Sequence, residues 1–156
     1  MTDPSDFDPQ RRARLTAELT AATGIDEAMI RDVVHRFYER IRDDAVLGPI
    51  FSARVTDWTP HLVQMCAFWS SVVLMTGRYR GQPMQKHLPL PVDARHFDRW
   101  LALWEDTVRA VCPPAALDLF LEPARRIAAS LELGIASARG QSAAKGQRLS
   151  PADGRA

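Results

Sequence analysis

The sequence predicts an all-α protein with a single domain. Apolar residues recur at helical spacing through several long stretches. No stretch alternates polar and apolar residues for more than a few positions, and an aspartate stands as a ready N-cap ahead of most helical stretches. The length of 156 residues suits one domain, and 46% hydrophobic with 25% charged residues fits a packed core rather than a disordered or fibrous chain. A net charge of +1 supplies no electrostatic reason to expect nucleic acid or an anionic membrane as partner.

The elements follow in order. Asp8 caps a first helix over Pro9–Thr23, with Pro9 suited to the first position and Gly24 to the terminus. Asp26 caps a second over about Glu27–Arg42, whose stripe is Met29, Ile30, Val33, Val34, Phe37 and Ile41. Leu47–Phe51 reads as a turn with one short helical piece. Asp57 caps a third long helix from Trp58 to about Met75, ended by Gly77. Trp58–Gly77 is 20 residues without a formal charge, which is transmembrane length. Pro60, His61, Gln64, Ser70, Ser71 and Thr76 interrupt it, so it reads as a helix buried on most of its circumference inside a soluble protein. A loop then leads to a helix of one or two turns around Met84–Leu88, stopped by Pro89 and Pro91. Asp93 caps a fourth long helix to about Val111, with Phe97, Trp100, Leu101, Trp104 and Val108 inward. Pro113-Pro114 breaks the chain. The last helix carries Leu117, Phe120, Leu121, Ala124, Ile127, Ala128 and Leu131, and Pro123 should kink or split it.

Residues 1–24 are expected to form an extension with an accessory helix, 25–136 the folded domain, and 137–156 a disordered basic tail, since the tail is glycine-rich and lacks aromatics. The acidic start, Met1 to Asp8, has no apolar core of a signal peptide. Cys66 and Cys112 form neither a disulfide framework nor a C-x-x-C site, so free thiols and a cytoplasmic location are expected.

Chemistry is sparse. None of His35, His61, His87 and His96 pairs with another at i, i+4, and none has zinc-finger spacing to a cysteine. No Gly-rich phosphate loop, nucleophile elbow or pair of carboxylates on an apolar helix face is present, which argues against hydrolase and nucleotide-dependent readings. Two features stand out. His87 sits alone on a very short helix bracketed by prolines. His61 shares a face of the uncharged helix with Met65, Phe68 and Val72. Tyr38 flanks the apolar stripe of the second helix, and Trp100 points inward on the fourth. Each alone reads as core packing. Together they offer what a haem pocket needs: a neutral imidazole, an apolar slot and a few hydrogen-bond donors.

Seven stretches follow one another along the chain: Arg36–Arg42, Leu47–Phe51, Trp58–His61, Phe68–Ser70, Thr76–Tyr79, Gly81–His87 (Gly-Gln-Pro-Met-Gln-Lys-His) and Arg99–Leu101. In this order they resemble the truncated haemoglobins of the third, or P-type, group, from about Ile25 to Ile135. The resemblance implies a globin-like two-over-two helical sandwich around haem b. It makes His87 the proximal iron ligand and Phe51 an aromatic packed on the porphyrin. It makes Tyr38 and Trp100 the distal donors to a bound ligand, and His61 a distal gate, with Met65 and Trp69 further along the distal helix. The extension, Pro123 and the basic tail depart from the family pattern.

Three functional readings stand. One is a haem protein that binds O2 and other small ligands (NO, CO, peroxide) for oxygen handling or for detoxifying NO and reactive oxygen. Another is a peroxidase-like or NO dioxygenase enzyme fed by an external reductase. The third is a cofactor-free helical interaction protein. The oligomeric state is not legible.

Overall fold

Four of the helices start where an aspartate side chain satisfies an otherwise unpaired N–H group. In a computed structural model that describes residues 8–141 and 147–151, seven α-helices follow: α1 Pro9–Thr23, α2 Glu27–Asp43, α3 Gly48–Arg54, α4 Trp58–Leu74, α5 Pro83–His87, α6 Ala94–Val111 and α7 Leu117–Ala138. A single 3-10 turn, Pro114–Ala116, precedes α7, and no strand occurs among the described residues. Asp8, Asp26, Asp57 and Asp93 accept backbone N–H bonds from Gln10, Met29, Thr59 and Arg95 at 2.8–3.2 Å. These are the four caps the sequence marks.

The apolar stripes dictate the packing. Ile30, Val33, Val34, Phe37, Tyr38 and Ile41 are buried on one face of α2, which meets both α4 and α6. Phe97, Leu103, Trp104 and Val108 of α6 face α2 and α7. Thus α2 and α4 form one layer and α6 and α7 the other, with α4 touching α7 across the gap. At the centre Trp104, 1% exposed, stacks on Trp69 of α4 at 4.3 Å and on Trp100 at 5.9 Å. Phe37 meets the edges of Trp100 and Trp104 at 5.6 and 4.9 Å. The Trp104 indole N–H donates to the Phe120 carbonyl at 3.0 Å, which satisfies the only polar atom of that ring.

α1 buries no residue of its own, yet it is joined to the domain. The Thr16 hydroxyl donates to the Leu74 carbonyl at 2.7 Å and so answers one open carbonyl at the end of α4. Leu19 packs on the core beside it. α4 leaves the helix at Met75, in the left-handed region at φ 57°, and not at Gly77 as the glycine suggested. That conformation costs a β-carbon residue roughly 1–3 kcal/mol, and the surrounding bonds hold it. Buried Ser70 donates to Glu27 at 2.6 Å and therefore accepts from the Thr76 hydroxyl at 2.7 Å, just past the bend.

Two expectations are corrected. α7 runs unbroken through Pro123, because Phe120, Leu121, Ala124 and Ala128 bury one face on both sides of the proline. One missing N–H costs less than that burial returns. The tail is not disordered where it is described. Ser137 and Ala138 close α7, and Leu149 is 4% exposed in a second cluster with Val92, Phe97, Ala128, Ile135 and Ala136. Residues 1–7 of the extension, and 142–146 and 152–156 of the tail, lie outside the described residues. No described helix is long and apolar enough to cross a membrane.

Trp104→Ala should lower unfolding free energy by about 3–5 kcal/mol, since it removes a central ring from contact with both layers. Urea denaturation followed by circular dichroism measures this, and a loss under 1 kcal/mol would mean the stack is not central to the fold.

Candidate functional site

The helices enclose a cavity of about 510 Å3 bounded by α2, α3, α4, α5, α6 and α7. That volume falls within the range of about 300–1,000 Å3 typical of small-molecule and cofactor sites. α2 supplies Tyr38, α3 Phe51, α4 His61, Met65 and Trp69, α5 His87, and α6 Trp100. All seven candidate residues therefore line one space. The face of α4 turned toward it is His61, Gln64, Met65, Phe68 and Trp69; Val72, grouped with His61 by spacing, packs in the core instead. Trp69 is nearly all core, 3% exposed, and belongs to the indole stack as much as to the cavity.

His87 is held in one tautomer. Its helix starts at Pro83, which needs no N–H there, and ends before Pro89. The Nδ1 of His87 lies 2.5 Å from the Pro83 carbonyl, and a carbonyl only accepts, so Nδ1 carries the proton. Nε2 keeps its lone pair as a ligand for a metal, with the ring oriented by the backbone bond. Yet among the described residues no three His, Cys, Asp or Glu gather as a metal site. A metal here would have one protein ligand and would bring its other ligands with it, as iron in a porphyrin does.

Three other side chains at the cavity, His61, Tyr38 and Trp100, make no side-chain hydrogen bond to a described protein group. The Nε2 of His61 is the one buried side-chain polar atom without a hydrogen bond among the described residues. Its ring packs edge-on against Tyr38 at 5.0 Å and Trp58 at 5.6 Å, and the Arg42 guanidinium covers Trp58 at 4.7 Å. Burial, with the nearby positive charge of Lys86, holds the His61 imidazole below its ordinary pKa, which favours its neutral form. Burial, with a smaller contribution from Cys66, pushes the Tyr38 phenol far above its ordinary value, so it stays an O–H donor. Neither the Tyr38 hydroxyl nor the Trp100 indole N–H bonds to a described protein group. A polar ligand in the cavity would find these three side chains with bonding capacity to spare, beside apolar wall residues that include Leu47, Ile50, Phe51, Met65, Phe68 and Leu131.

Several lining residues were given no part in the site by the sequence reading, His96, Tyr79, Lys86 and Arg54 among them. His96 reaches the cavity, but its Nδ1 accepts the Asp93 N–H at 3.0 Å and closes a capping box at the start of α6. The Asp-x-x-His spacing was the available signal. Tyr79 packs on Phe68 at 5.1 Å, and its N–H donates to Ser71. Lys86, inside the Gly81–His87 stretch, and Arg54, outside every such stretch, bring positive charge to the lining.

A family of bacterial-like globins matches residues 20–128. The chain is 33% identical over 113 residues to the group 3 truncated haemoglobin of Campylobacter jejuni, covering 69% of this chain and 89% of that one. The chain belongs to the truncated haemoglobins, group 3. A crystal structure of a group III truncated haemoglobin from Campylobacter jejuni superposes with a TM-score of 0.65 at 34% identity, over 69% of this chain and 88% of that one. The group 2 truncated haemoglobin of Bacillus subtilis is 28% identical over 86 residues, 54% of this chain and 65% of its own length. The two layers and the cavity between them are thus the globin fold, and membership implies haem binding and globin-type ligand binding. In this truncated haemoglobin the matched region ends well before Leu149, so the packing of the tail lies outside what the family match covers.

Because Tyr38 stays protonated, wild type and Tyr38→Phe should show the same ultraviolet tyrosinate absorbance at every pH up to about 11 while the fold holds. A spectrophotometric titration in which the mutant loses a component near pH 10 would contradict the burial argument.

Proposed function

We propose that this protein holds haem b in the cavity through the Nε2 of His87 and binds a small polar ligand, O2 foremost, against the Tyr38 and Trp100 donors. The observation that carries the reading is the Nδ1-protonated His87, its other nitrogen open in a cavity where, among the described residues, no three His, Cys, Asp or Glu gather as a metal site. Haem iron held by the one imidazole of His87 would supply the binding chemistry for O2, NO, CO or peroxide. The remaining roles belong to the side chains. Phe51, Met65, Phe68 and Trp69 give an apolar surface for a flat macrocycle, and Lys86 and Arg54 supply charge for acidic substituents on it. Tyr38 and Trp100 lower the free energy of negative charge that gathers on a diatomic, each by roughly 0.5–1.5 kcal/mol net. His61, neutral and packed between Tyr38 and Trp58, is placed to gate entry.

The same donors serve retention of O2 and reaction with NO or peroxide. Turnover of the second kind needs electrons from an external reductase, and detoxification of NO or reactive oxygen is the role this chemistry favours in that case. Family membership favours both over a cofactor-free interaction protein.

His87→Ala should bind haem at least about 100-fold more weakly. Loss of a ligand's hydrogen-bond partner alone typically costs about 10–100-fold, and here the ligand itself is lost. Haem titration followed at the Soret band measures it. Undiminished affinity, or an unchanged ferrous spectrum without added imidazole, would remove His87 from the site.

Trp100→Phe should speed O2 dissociation roughly 5–30-fold and change CO dissociation much less, since CO gathers little negative charge. Tyr38→Phe should have a smaller effect, and the double mutant should be non-additive because both donors would share one ligand. Stopped-flow dissociation of both gases tests this, and equal effects on O2 and CO would mean that the residues act by packing alone.

A further inference from the structure

The backbone just after His87 is held from outside the cavity. Arg139, beyond the end of α7, donates to the Val92 carbonyl at 2.8 Å and to the Leu90 carbonyl at 2.5 Å. The same guanidinium reaches the Ser150 carbonyl at 3.3 Å. The Leu149 carbonyl accepts the N–H of Ala94 at 3.0 Å, and the Leu149 N–H donates to Glu132 at 2.9 Å. Arg148 bridges Glu132 and Asp98 at 2.8 and 2.7 Å. The Leu149 side chain is buried against Val92, Phe97, Ala128, Ile135 and Ala136. Val92, Phe97 and Ala128 also line the cavity, so the cluster that Leu149 completes is the outer side of the cavity wall.

α5 itself meets α7 at a notch. A methyl group at Gly134 would collide with the Met84 sulfur, three residues before His87. The core around Trp104 does not include α5 or the loop 88–93. Arg54 of α3 donates to the Pro89 carbonyl at 3.2 Å, and contacts with α6, α7 and residues 147–151 carry much of the remaining restraint on the His87 segment. Exposed ion pairs add little to such a restraint. The weight falls on the buried leucine and on the backbone carbonyls that Arg139 and Ala94 engage.

We propose that residues 147–151 form a strap, with Leu149 as its plug and Arg139 as its anchor, that positions the His87 segment and so sets how long the cavity keeps its cofactor. The second half of this statement rests on the reading of His87 as the haem ligand. Leu149 and Arg139 touch no cofactor; they act through the loop 88–93.

The test uses full-length protein with Leu149→Asp, the milder Leu149→Ala, Arg139→Gln, and the conservative Leu149→Met. Hydrogen–deuterium exchange is read on the cofactor-free chain, and haemin transfer to excess apomyoglobin on the loaded chain. In Leu149→Asp and Arg139→Gln, amides of residues 84–94 should exchange about tenfold faster, while interior amides of α2 and α6 keep wild-type rates. Leu149→Ala should fall between, and Leu149→Met should match wild type. Haemin transfer should quicken about three- to tenfold in the same order. Unchanged exchange over 84–94, or faster exchange spread evenly over all helices, would overturn the strap. Faster exchange with unchanged haemin transfer would overturn its role in retention. If wild type takes up no haemin, the reading of His87 fails instead, and the exchange arm alone decides whether the strap holds that segment.

Discussion

The stack of three indoles is the interaction on which the rest of the molecule depends. Trp69 comes from α4, while Trp100 and Trp104 come from α6, so their contact joins the two layers. Trp69 and Trp100 also form cavity wall. The distance between the layers, and hence the width of the cavity, follows from ring thickness where Trp69 meets Trp104, while the Trp104 bond to the Phe120 carbonyl ties α6 to α7 within their own layer. A core of aliphatic side chains could fill the same volume, but it would not place an indole N–H at the cavity while hiding another from it.

The site follows from a division of labour between polar atoms. Polar atoms that belong to the fold are paired: His96 with Asp93, Thr16 with Leu74, Trp104 with Phe120. Those of His61, Tyr38 and Trp100, at the cavity, are not. The His61 Nε2 is buried as well as unpartnered, and such a group costs free energy, so its place at the cavity is a sign of what the space is for. His87 belongs to both groups, with one nitrogen committed to Pro83 and the other open.

Helix boundaries were legible because caps are local chemistry. Asp-Pro at residues 8–9 and Asp93 before Ala94 specify their starts within a few residues of sequence. The seven candidate residues were legible as a set through the motifs that carry the family resemblance, and they do meet around one cavity. What escaped was decided by contacts far apart in sequence. Leu149 is one apolar residue in a polar tail, and only the cluster around Val92 makes it a core residue. Composition averages over such a residue. Met75 bends α4 two residues before the glycine because the Ser70–Thr76 and Thr16–Leu74 bonds favour that point. Pro123 is tolerated since burial on both sides outweighs one absent bond.

The placement of the indoles has an optical consequence. The chain has four tryptophans. Trp69 and Trp100 line the cavity, Trp104 stacks on both, and Trp58 packs against His61, which also lines it. Every intrinsic fluorophore of this kind therefore sits at the cavity or one ring away. Any chromophore seated there would drain their excited states together, so the emission of the whole protein reports on a single space.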